Sequence, residues 1–432
     1  MIVNFSVKNF GPIKEKQTLS FEAGRSTHLE DAYVYRIGKM RLLKIALIYG
    51  ANASGKSTIL KALDFLRDIV LYPESKKTES FAFQPFLFDT NTSEENSVIS
   101  IDFLQNGTRY FYEVELMKKA IVREELYFWK PNKASLYKRS TNLANQFTTI
   151  IFGSTIRIDN AFKKTLEANT LWNNTVLGGY LKTNIDIKEL QDIVSWFKDQ
   201  LKPLVDGGTN LEDYVSNQIK KGIIQKSDVI EILRKADFQI SDIVIKEEEK
   251  EIPDSVYEFV LKRLEEGNKR VKASEVKKVY STLDLELIHS VKGNKYSLPF
   301  EMESNGTKRY YGFAGLLALT LKNSFIQPVD ELEASLHPEL YEHFLLSFLM
   351  NAKESQIIAT THNREILNNK EIMRNDAIWF TDKNKDCATE LYSLADFDSS
   401  VVRDTTNVLN AYKSGKLGAT PKTADYYLDL NS

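Results

Sequence analysis

Gly50-Ala51-Asn52-Ala53-Ser54-Gly55-Lys56-Ser57 is the stretch that decides the fold of this 432-residue chain. It fills every fixed position of the pattern G-x-x-x-x-G-K-[ST], in which a glycine-rich loop joins a strand to a helix. A mostly apolar run of strand length, residues 42–49, precedes the loop, and residues 57–66 carry apolar side chains at helical spacing. The alternative, a glycine-rich turn with a solvated lysine, does not explain these flanking elements. The stretch therefore predicts a phosphate-binding loop in an α/β fold.

The spacing of this loop has a physical reason. Gly50 and Gly55 let the backbone curl so that successive N–H groups point at phosphate oxygens, and the positive end of the following helix adds to that field. Lys56 is then expected to reach the β- and γ-phosphates, and the Ser57 hydroxyl to ligate Mg²⁺. Together with Ser54, these residues form the predicted phosphate cradle.

Composition sets limits on the class of protein. Lys plus Arg number 57 and Asp plus Glu 59, so the formal net charge of -2 gives no overall basic signature for nucleic acid, although a local basic face remains open. The single cysteine, Cys387, excludes a disulfide framework and a cysteine-based zinc site and fits a reducing cytosol. The first eight residues alternate like a strand and lack the apolar core of a signal peptide, and no apolar run is long enough to span a bilayer. We therefore expect a soluble, cytoplasmic protein without a membrane partner.

The N-terminal third predicts a largely antiparallel sheet beside the phosphate loop. Residues 2–8 and 17–21 form a predicted hairpin, and residues 81–88 are aromatic and strand-like. Further strands are predicted at 97–104, 109–116 and 121–129, the first two joined by the turn Gln105-Asn106-Gly107-Thr108.

Helical periodicity dominates from about residue 152 to 277, with predicted helices at 187–201, 211–219, 227–235 and 256–264. The charged run 246–251 is interpreted as a solvated face, and no heptad pattern persists long enough for coiled-coil arms. We predict three parts: residues 1–151, a mainly helical insert at 152–280, and residues 281–432.

Strands resume at 282–289 and 295–300, and Ser304-Asn305-Gly306-Thr307 then opens a predicted helix at 310–321. Such a helix start is either an anion-binding site or an ordinary helix cap, and residue types leave both open.

Further on, an apolar segment ends in Asp330-Glu331, and residues 356–363 form a strand that ends near His362. A predicted helix at 340–350 supplies the crossover for a parallel pair. An aspartate and a glutamate at a strand end are suited to hold Mg²⁺ through water and to polarise an attacking water. Gln327 and Pro328 interrupt the apolar segment, so this strand is expected to be short or irregular.

The order of these motifs resembles the ABC-type ATPases of the SMC, RecF and overcoming-lysogenisation-defect group. Within that group the chain is most similar to the compact AAA-labelled ATPase subunits of bacterial phage-defence systems of the AbiL, Septu and PARIS types. The resemblance covers roughly residues 1–150 and 280–421. It implies a P-loop ABC-type ATPase head with an antiparallel β subdomain and an inserted, mainly helical lobe, and it implies ATP and Mg²⁺ as cofactors.

The resemblance also implies roles for particular residues. The Walker A loop matches at Asn52, Gly55, Lys56, Ser57 and Thr58. The signature loop matches at Ser304, Gly306 and Thr307, and the Walker B pair at Asp330 and Glu331. Residues 334–337 match the D-loop, His362 matches the switch histidine, and the tail motif Tyr-x-x-Gly-x-x-Gly-x-x-Pro, residues 412–421, looks like the end of these defence ATPases. Gln84 is either the glutamine that contacts Mg²⁺ and the attacking water or a polar residue at a sheet edge.

The implied mechanism is a dimerising switch. Each protomer binds ATP and Mg²⁺, and residues 304–307 of a second protomer cap the γ-phosphate. Glu331 activates water, His362 senses the γ-phosphate and Lys56 binds the phosphates, so these three are the predicted catalytic residues. Ser57, Asp330 and Gln84 are the predicted metal ligands.

More than one function fits these motifs. The first is a defence ATPase that senses phage or controls a nuclease or toxin encoded beside it. The alternative is a RecF- or SMC-like DNA-binding ATPase in DNA repair or maintenance, for which basic clusters at 220–221, 269–272 and 277–278 could supply a DNA surface. A transporter ATPase fits less well, because the Ser-Asn-Gly-Thr signature and the sequence between the motifs differ from those of transporters.

Overall fold

The computed structural model describes residues 1–156, 158–251, 253, 255–258, 279–397 and 407–421. The predicted basic clusters at 269–272 and 277–278 lie outside the described residues, as does most of the helix predicted at 256–264.

The described secondary structure contains both strands and helices. The strands are β1 (Ile2–Lys8), β2 (Gln17–Ser20), β3 (Val34–Ile37), β4 (Met40–Leu43), β5 (Ile45–Gly50), β6 (Ser97–Gln105), β7 (Thr108–Met117), β8 (Ala120–Trp129), β9 (Lys133–Asn142), β10 (Phe147–Phe152), β11 (Ile240–Glu251), β12 (Val279–Val291), β13 (Asn294–Pro299), β14 (Ile326–Val329), β15 (Gln356–Thr360), β16 (Ile378–Lys383) and β17 (Thr389–Ser393). The α-helices are α1 (Glu30–Tyr33), α2 (Lys56–Leu71), α3 (Thr90–Glu94), α4 (Asn160–Asn169), α5 (Val176–Tyr180), α6 (Lys188–Ser195), α7 (Leu211–Lys220), α8 (Lys226–Lys235), α9 (Asn305–Lys322), α10 (Pro338–Asn351) and α11 (Val408–Lys413).

The phosphate loop follows the central strand of a five-stranded sheet with the order β14-β15-β5-β16-β17. β14, β15, β5 and β16 run parallel, and β17 closes the edge antiparallel to β16. All residues of β5 are buried, as expected for a parallel strand that is covered on both faces. The predicted α/β fold, in which this loop joins a strand to a helix, is therefore confirmed.

A second sheet is antiparallel and has the order β10-β9-β8-β7-β6-β1-β2. Along β7, buried side chains alternate with half-buried ones over most of its length, the pattern of a strand with one face on the core. The predicted hairpin of β1 and β2 and the predicted strands at 97–104, 109–116 and 121–129 are confirmed.

The segment at 81–88 was predicted to be a strand, and this prediction is wrong. Phe81, Phe83 and Phe86 are buried, but backbone groups of the segment bond other loops: the Phe86 N–H donates to the Asn9 side chain at 2.8 Å. Pro85 has no N–H to give to a sheet ladder. The aromatic pattern therefore reports burial of the rings rather than strand pairing.

The chain divides into two compact units: residues 1–208, 323–334 and 345–432 form the first, and residues 209–322 and 335–344 form the second. The first contains both sheets described above. In the second, helix α9 packs on α7 and α8, and β11, β12 and β13 form an antiparallel sheet. The charged run 246–251 lies within strand β11 rather than between helices. The division into domains at 151/152 and 280/281 stays a prediction.

Within the described part of the chain, no helix is both long and apolar enough to cross a bilayer.

A buried glutamine joins the parallel sheet to the N-terminal strands. The Gln356 side chain, fully buried at the start of β15, accepts a hydrogen bond from the Ile2 N–H at 2.6 Å and donates to the Ile2 and Leu43 carbonyls at 3.0 Å. These bonds satisfy backbone groups of strands that belong to other sheets.

We expect Gln356→Ala to lower the free energy of unfolding by roughly 3 kcal/mol, because it leaves buried backbone groups of Ile2 and Leu43 without partners. Thermal or urea unfolding measures the change. Gln191→Ala, at an exposed position of helix α6, is the control and should unfold like the wild type. Equal stability of the two variants would contradict the proposed role of Gln356.

Candidate functional site

The candidate site lies at the carboxyl edge of the parallel sheet, where the ends of neighbouring strands converge. β5 leads into the phosphate loop, β14 leads into Asp330 and Glu331, and β15 ends just before His362. Because β15 lies between β14 and β5, these groups come together at one edge of the sheet, the usual place for a ligand in an open α/β sheet.

The two glycines of the phosphate loop lie against neighbouring strands. A Cβ at Gly50 would lie 2.4 Å from the Thr381 hydroxyl oxygen, and one at Gly55, where φ is +102°, would lie 2.2 Å from the Thr389 hydroxyl oxygen. No side chain fits at either position.

The same threonines hold the loop by hydrogen bonds. The Ser54 and Thr381 hydroxyls bond each other at 2.6 Å, and the Thr389 hydroxyl donates to the Ser54 carbonyl at 2.8 Å. The loop is therefore shaped as much by β16 and β17 as by its own sequence.

Lys56 is buried at the first position of helix α2. Its ammonium donates to the Gly50 and Ala51 carbonyls at 2.9 and 3.1 Å. Burial lowers the pKa of Lys56, and the negative charges of Asp330, Glu331 and Glu333 oppose that shift. A positive charge thus lies directly within the phosphate cradle.

A chain of hydrogen bonds joins the loop to the acidic pair. The Ser57 hydroxyl donates to Asp330 Oδ1 at 3.0 Å, and the Thr360 hydroxyl donates to the same oxygen at 2.5 Å. The Thr360 oxygen in turn accepts from the Glu331 N–H at 2.8 Å. One threonine at the end of β15 therefore orients both acidic residues.

Glu331 has a backbone φ of +54°, in the left-handed region that non-glycine residues rarely adopt. The Leu332 N–H donates to the Thr360 carbonyl at 3.1 Å and the Ala334 N–H to the Glu331 carbonyl at 2.9 Å, so the turn is held on both sides. The Glu331 side chain is exposed and free to meet a solvent molecule. Such backbone strain is typical of residues at functional sites, where the side chain is held in a particular direction.

The donors at this site fit Mg²⁺. Ser57 and Asp330 offer hard oxygen ligands next to the phosphate cradle, and Mg²⁺ is usually held by few protein oxygens together with substrate phosphates and water. Among the residues that the structure describes, no cluster of three or more His, Cys, Asp or Glu side chains is placed to hold a metal by itself. The donor set is therefore one that would bind Mg²⁺ together with a nucleotide.

His362 follows β15 at the same edge. Its backbone N–H donates to the Glu333 carboxylate. Partial desolvation lowers the pKa of the His362 ring, and the nearby Lys56 charge lowers it further, against the opposing charges of Glu333, Glu331 and Asp330. These surroundings favour the neutral form of the ring, in which one ring nitrogen donates and the other accepts.

The predicted signature residues belong to the second compact unit. Ser304 precedes helix α9 and its hydroxyl oxygen accepts from the Thr307 N–H at 3.0 Å, while the two hydroxyls bond each other at 2.9 Å. The ordinary helix-cap interpretation is thus satisfied by the structure, and the role of Ser304, Gly306 and Thr307 toward a nucleotide stays a prediction.

Gln84 lies beside the start of helix α2 and forms no hydrogen bond with the acidic pair. Its carbonyl accepts from the Gly11 N–H at 2.7 Å, and Gly11 lies against Thr58. Its side chain is exposed, and no hydrogen bond links it to Ser57 or Asp330, all of which the structure describes. Its role as a metal ligand stays a prediction.

Sequence reasoning missed the threonines that build the site. Thr360, Thr381 and Thr389 carry no motif, yet each bonds the phosphate loop or the acidic pair. The available signal was position: Thr360 and Thr381 are polar residues near the carboxyl ends of apolar parallel strands, where ligand-binding groups collect.

Comparisons with known proteins place this geometry in a family. Residues 45–172 and 195–368 match the family model described as AAA domain, putative AbiEii toxin, Type IV TA system, a span that includes the phosphate loop, Asp330, Glu331 and His362. A comparison with curated protein sequences gives no match.

Solved structures of SMC heads are among those that resemble the chain. The SmcHead bound to the C-winged helix domain of ScpA is 15% identical, with a TM-score of 0.42, and the match covers 91% of this chain and 97% of that one. The SMC head domain from Thermotoga maritima is 12% identical, with a TM-score of 0.39 and coverage of 91% and 98%.

We expect Thr360→Val to lower the kcat of nucleotide hydrolysis roughly 10- to 100-fold, the usual effect of losing a partner that orients a metal ligand. The change keeps the side-chain shape and removes the hydroxyl that bonds Asp330 and the Glu331 N–H. Phosphate release across a Mg²⁺ titration measures it. Thr360→Ser keeps the hydroxyl and is the matched control; a wild-type rate in Thr360→Val would show that the acidic pair needs no such support.

The His362 ring is expected to titrate below the ordinary histidine pKa of about 6.5, because desolvation and Lys56 both disfavour its charged form. NMR of the histidine rings measures the midpoint, and loss of one resonance in His362→Gln assigns it. Since ATP brings negative charge, its addition should raise that midpoint. A midpoint at or above the ordinary value without nucleotide would contradict the described surroundings of the ring.

Proposed function

This chain belongs to the family described as AAA domain, putative AbiEii toxin, Type IV TA system, and we propose that it is an ATP-hydrolysing switch that controls an effector protein in antiphage defence, as the ATPases that its motifs resemble do. The observation that supports ATP hydrolysis is the joining of Ser57, Asp330 and Glu331 through Thr360 beside the buried Lys56. This arrangement supplies phosphate binding, metal ligation and a base in one place.

Each residue has a separate task in the proposed reaction. The phosphate-loop N–H groups and Lys56 bind the phosphates, and Ser57 and Asp330 hold Mg²⁺, which neutralises charge on the β- and γ-phosphates when bound. The Glu331 carboxylate accepts a proton from the attacking water, and its strained backbone keeps the carboxylate aimed outward. His362 senses the γ-phosphate by donating a ring N–H to one of its oxygens.

The proposed switch is an ATP-dependent dimer. The loop at 304–307 matches the signature loop of the resemblance, and both Ser304 and Glu331 are exposed, as surfaces that meet a second protomer must be. In this proposal, Ser304, Gly306 and Thr307 of one copy cap the γ-phosphate held by the other. ATP then joins the heads, and hydrolysis loosens them.

The effector chemistry is assigned to a partner. The carboxylates that the structure gathers at the sheet edge, Asp330, Glu331 and Glu333, all serve the nucleotide site in this proposal. A nuclease or toxin encoded nearby is therefore the expected partner, and the change from dimer to separate heads is the signal that it receives.

We expect Glu331→Gln, which retains ATP by removing the base, to double its mass in solution when ATP and Mg²⁺ are added. Light scattering after size exclusion measures this. In the same background Ser304→Asp should stay monomeric, because aspartate still caps helix α9 but repels the γ-phosphate. Ser304→Thr keeps the hydroxyl and should still dimerise.

A wild type that hydrolyses ATP at full rate while Glu331→Gln stays monomeric would contradict the dimer. The same measurement with the product of the adjacent gene tests the effector: a complex whose stoichiometry changes with ATP supports the defence switch. Salt-sensitive, ATP-dependent DNA binding by the protein alone would instead favour the DNA-maintenance function.

A further inference from the structure

The tail motif Tyr-x-x-Gly-x-x-Gly-x-x-Pro forms a tight loop at the end of helix α11. The Tyr412 hydroxyl donates to the Ala419 carbonyl at 3.0 Å, across the base of the loop. Gly415 and Gly418 have φ values of +75° and +67°, which the turn requires and other residues rarely adopt. The motif spacing is therefore the spacing of a closed loop, which we name the tail loop, residues 412–421.

The tail loop is fastened to strands β16 and β17. Asp382 Oδ2 accepts from the Ala419 N–H at 3.0 Å, and the Tyr392 hydroxyl donates to the Leu417 carbonyl at 2.8 Å. A Cβ on Gly418 would lie 2.5 Å from that hydroxyl oxygen, so the loop approaches the sheet as closely as a glycine allows. A hydrogen bond to a carboxylate is among the stronger ones in proteins.

Aromatic contacts link the tail loop to the strand that leads into the phosphate loop. The buried Tyr412 ring stacks on Phe380, with ring centroids 5.5 Å apart, and meets Tyr49 edge-on at 6.3 Å. Phe380 and Tyr49 are paired in register on β16 and β5, and Gly50 is the residue after Tyr49. Tyr412 therefore packs on both strands where they enter the site.

The next residue of β16 connects this strand to the phosphate loop. Thr381, between Phe380 and Asp382, bonds the Ser54 hydroxyl of the phosphate loop. Neighbouring residues of one strand thus hold the phosphate loop on one side and the tail loop on the other. The tail loop is therefore connected to the phosphate loop through Asp382 and Thr381, which are neighbours on β16.

A cavity of ≈ 560 Å³ lies between the two loops. The phosphate-loop residues Gly50, Asn52 and Ser54 line it on one side, and Tyr412 and Pro421 line it on another. His362 and Arg364 also border this space. The tail loop is therefore a wall of the same region that holds the predicted nucleotide-binding residues.

From this geometry we propose that the tail loop positions the phosphate loop for ATP, with Asp382 and Tyr412 as the positioning residues. This inference rests on the proposed ATP-binding function of the site. Linkage is reciprocal, so if the tail loop favours ATP binding, ATP binding must stabilise the tail loop by the same factor.

Asp382→Ala removes the acceptor of the Ala419 N–H and should raise the KM for ATP roughly tenfold while kcat changes little, because the cradle is loosened and the acidic pair is untouched. Asp382→Asn keeps an oxygen acceptor and should restore most of the affinity. Lys413→Ala, next to Tyr412 in the tail loop, is the matched control, since it removes only a solvent-exposed ion pair with Glu365 at 3.7 Å.

Hydrogen exchange gives a second test, which does not depend on Asp382→Ala. Amides of the tail loop should exchange more slowly when ATP and Mg²⁺ are added, and this protection should be reduced in Tyr412→Phe, which keeps the stacking ring but loses the bond to Ala419. A wild type that binds no ATP would reject the proposed function itself. ATP binding with an unchanged KM in Asp382→Ala, or with no added protection of the tail loop, would overturn this inference alone.

Discussion

The parallel register of β14, β15, β5 and β16 is the constraint on which the rest of the structure depends. Parallel pairing brings four carboxyl ends to one edge, so that residues far apart in sequence meet there. The phosphate loop, the acidic pair and His362 each follow one of these strands. A shift of register in any pair would separate the groups that we propose to act on one nucleotide.

Short polar side chains near the strand ends hold the groups of the candidate site in place by hydrogen bonds. Thr360 bonds Asp330 and the Glu331 N–H, while Thr381 and Thr389 bond Ser54. Threonine is suited to this work, because its branched side chain favours a strand and its hydroxyl both donates and accepts. The buried Lys56 charge then lies among carbonyl oxygens and opposite three carboxylates, which keeps a cation in the cradle despite its desolvation.

Gln327 and Pro328 depart from the apolar sequence expected for β14, and contacts with neighbouring segments accommodate them. Pro328 lacks an N–H, but β14 pairs on one side with β15 and meets the segment around Val205 on the other, where the Val205 N–H donates to the Pro328 carbonyl at 3.0 Å. The buried Gln327 amide donates to the Pro203 and Pro328 carbonyls at 3.0 Å. The Gln-Pro pair therefore gives the short strand that its sequence predicts without moving Asp330 from the sheet edge.

The sequence by itself determined the phosphate loop, its lysine and serine, the acidic pair, and the strand–loop–helix order, because that chemistry depends on residue types at local spacing. The antiparallel strands around the turn at 105–108 were predictable for the same reason. The segment at 81–88 was not, since burial of aromatic rings and strand pairing leave a similar pattern in sequence. Only the tertiary structure decided which side chains support the loop: Thr381 and Thr389 lie 327 and 335 positions from Ser54, and no local rule joins residues so far apart. The tail motif illustrates the same division. Its spacing was visible in the sequence, whereas its contacts with Asp382 and Tyr49 exist only after the chain has folded.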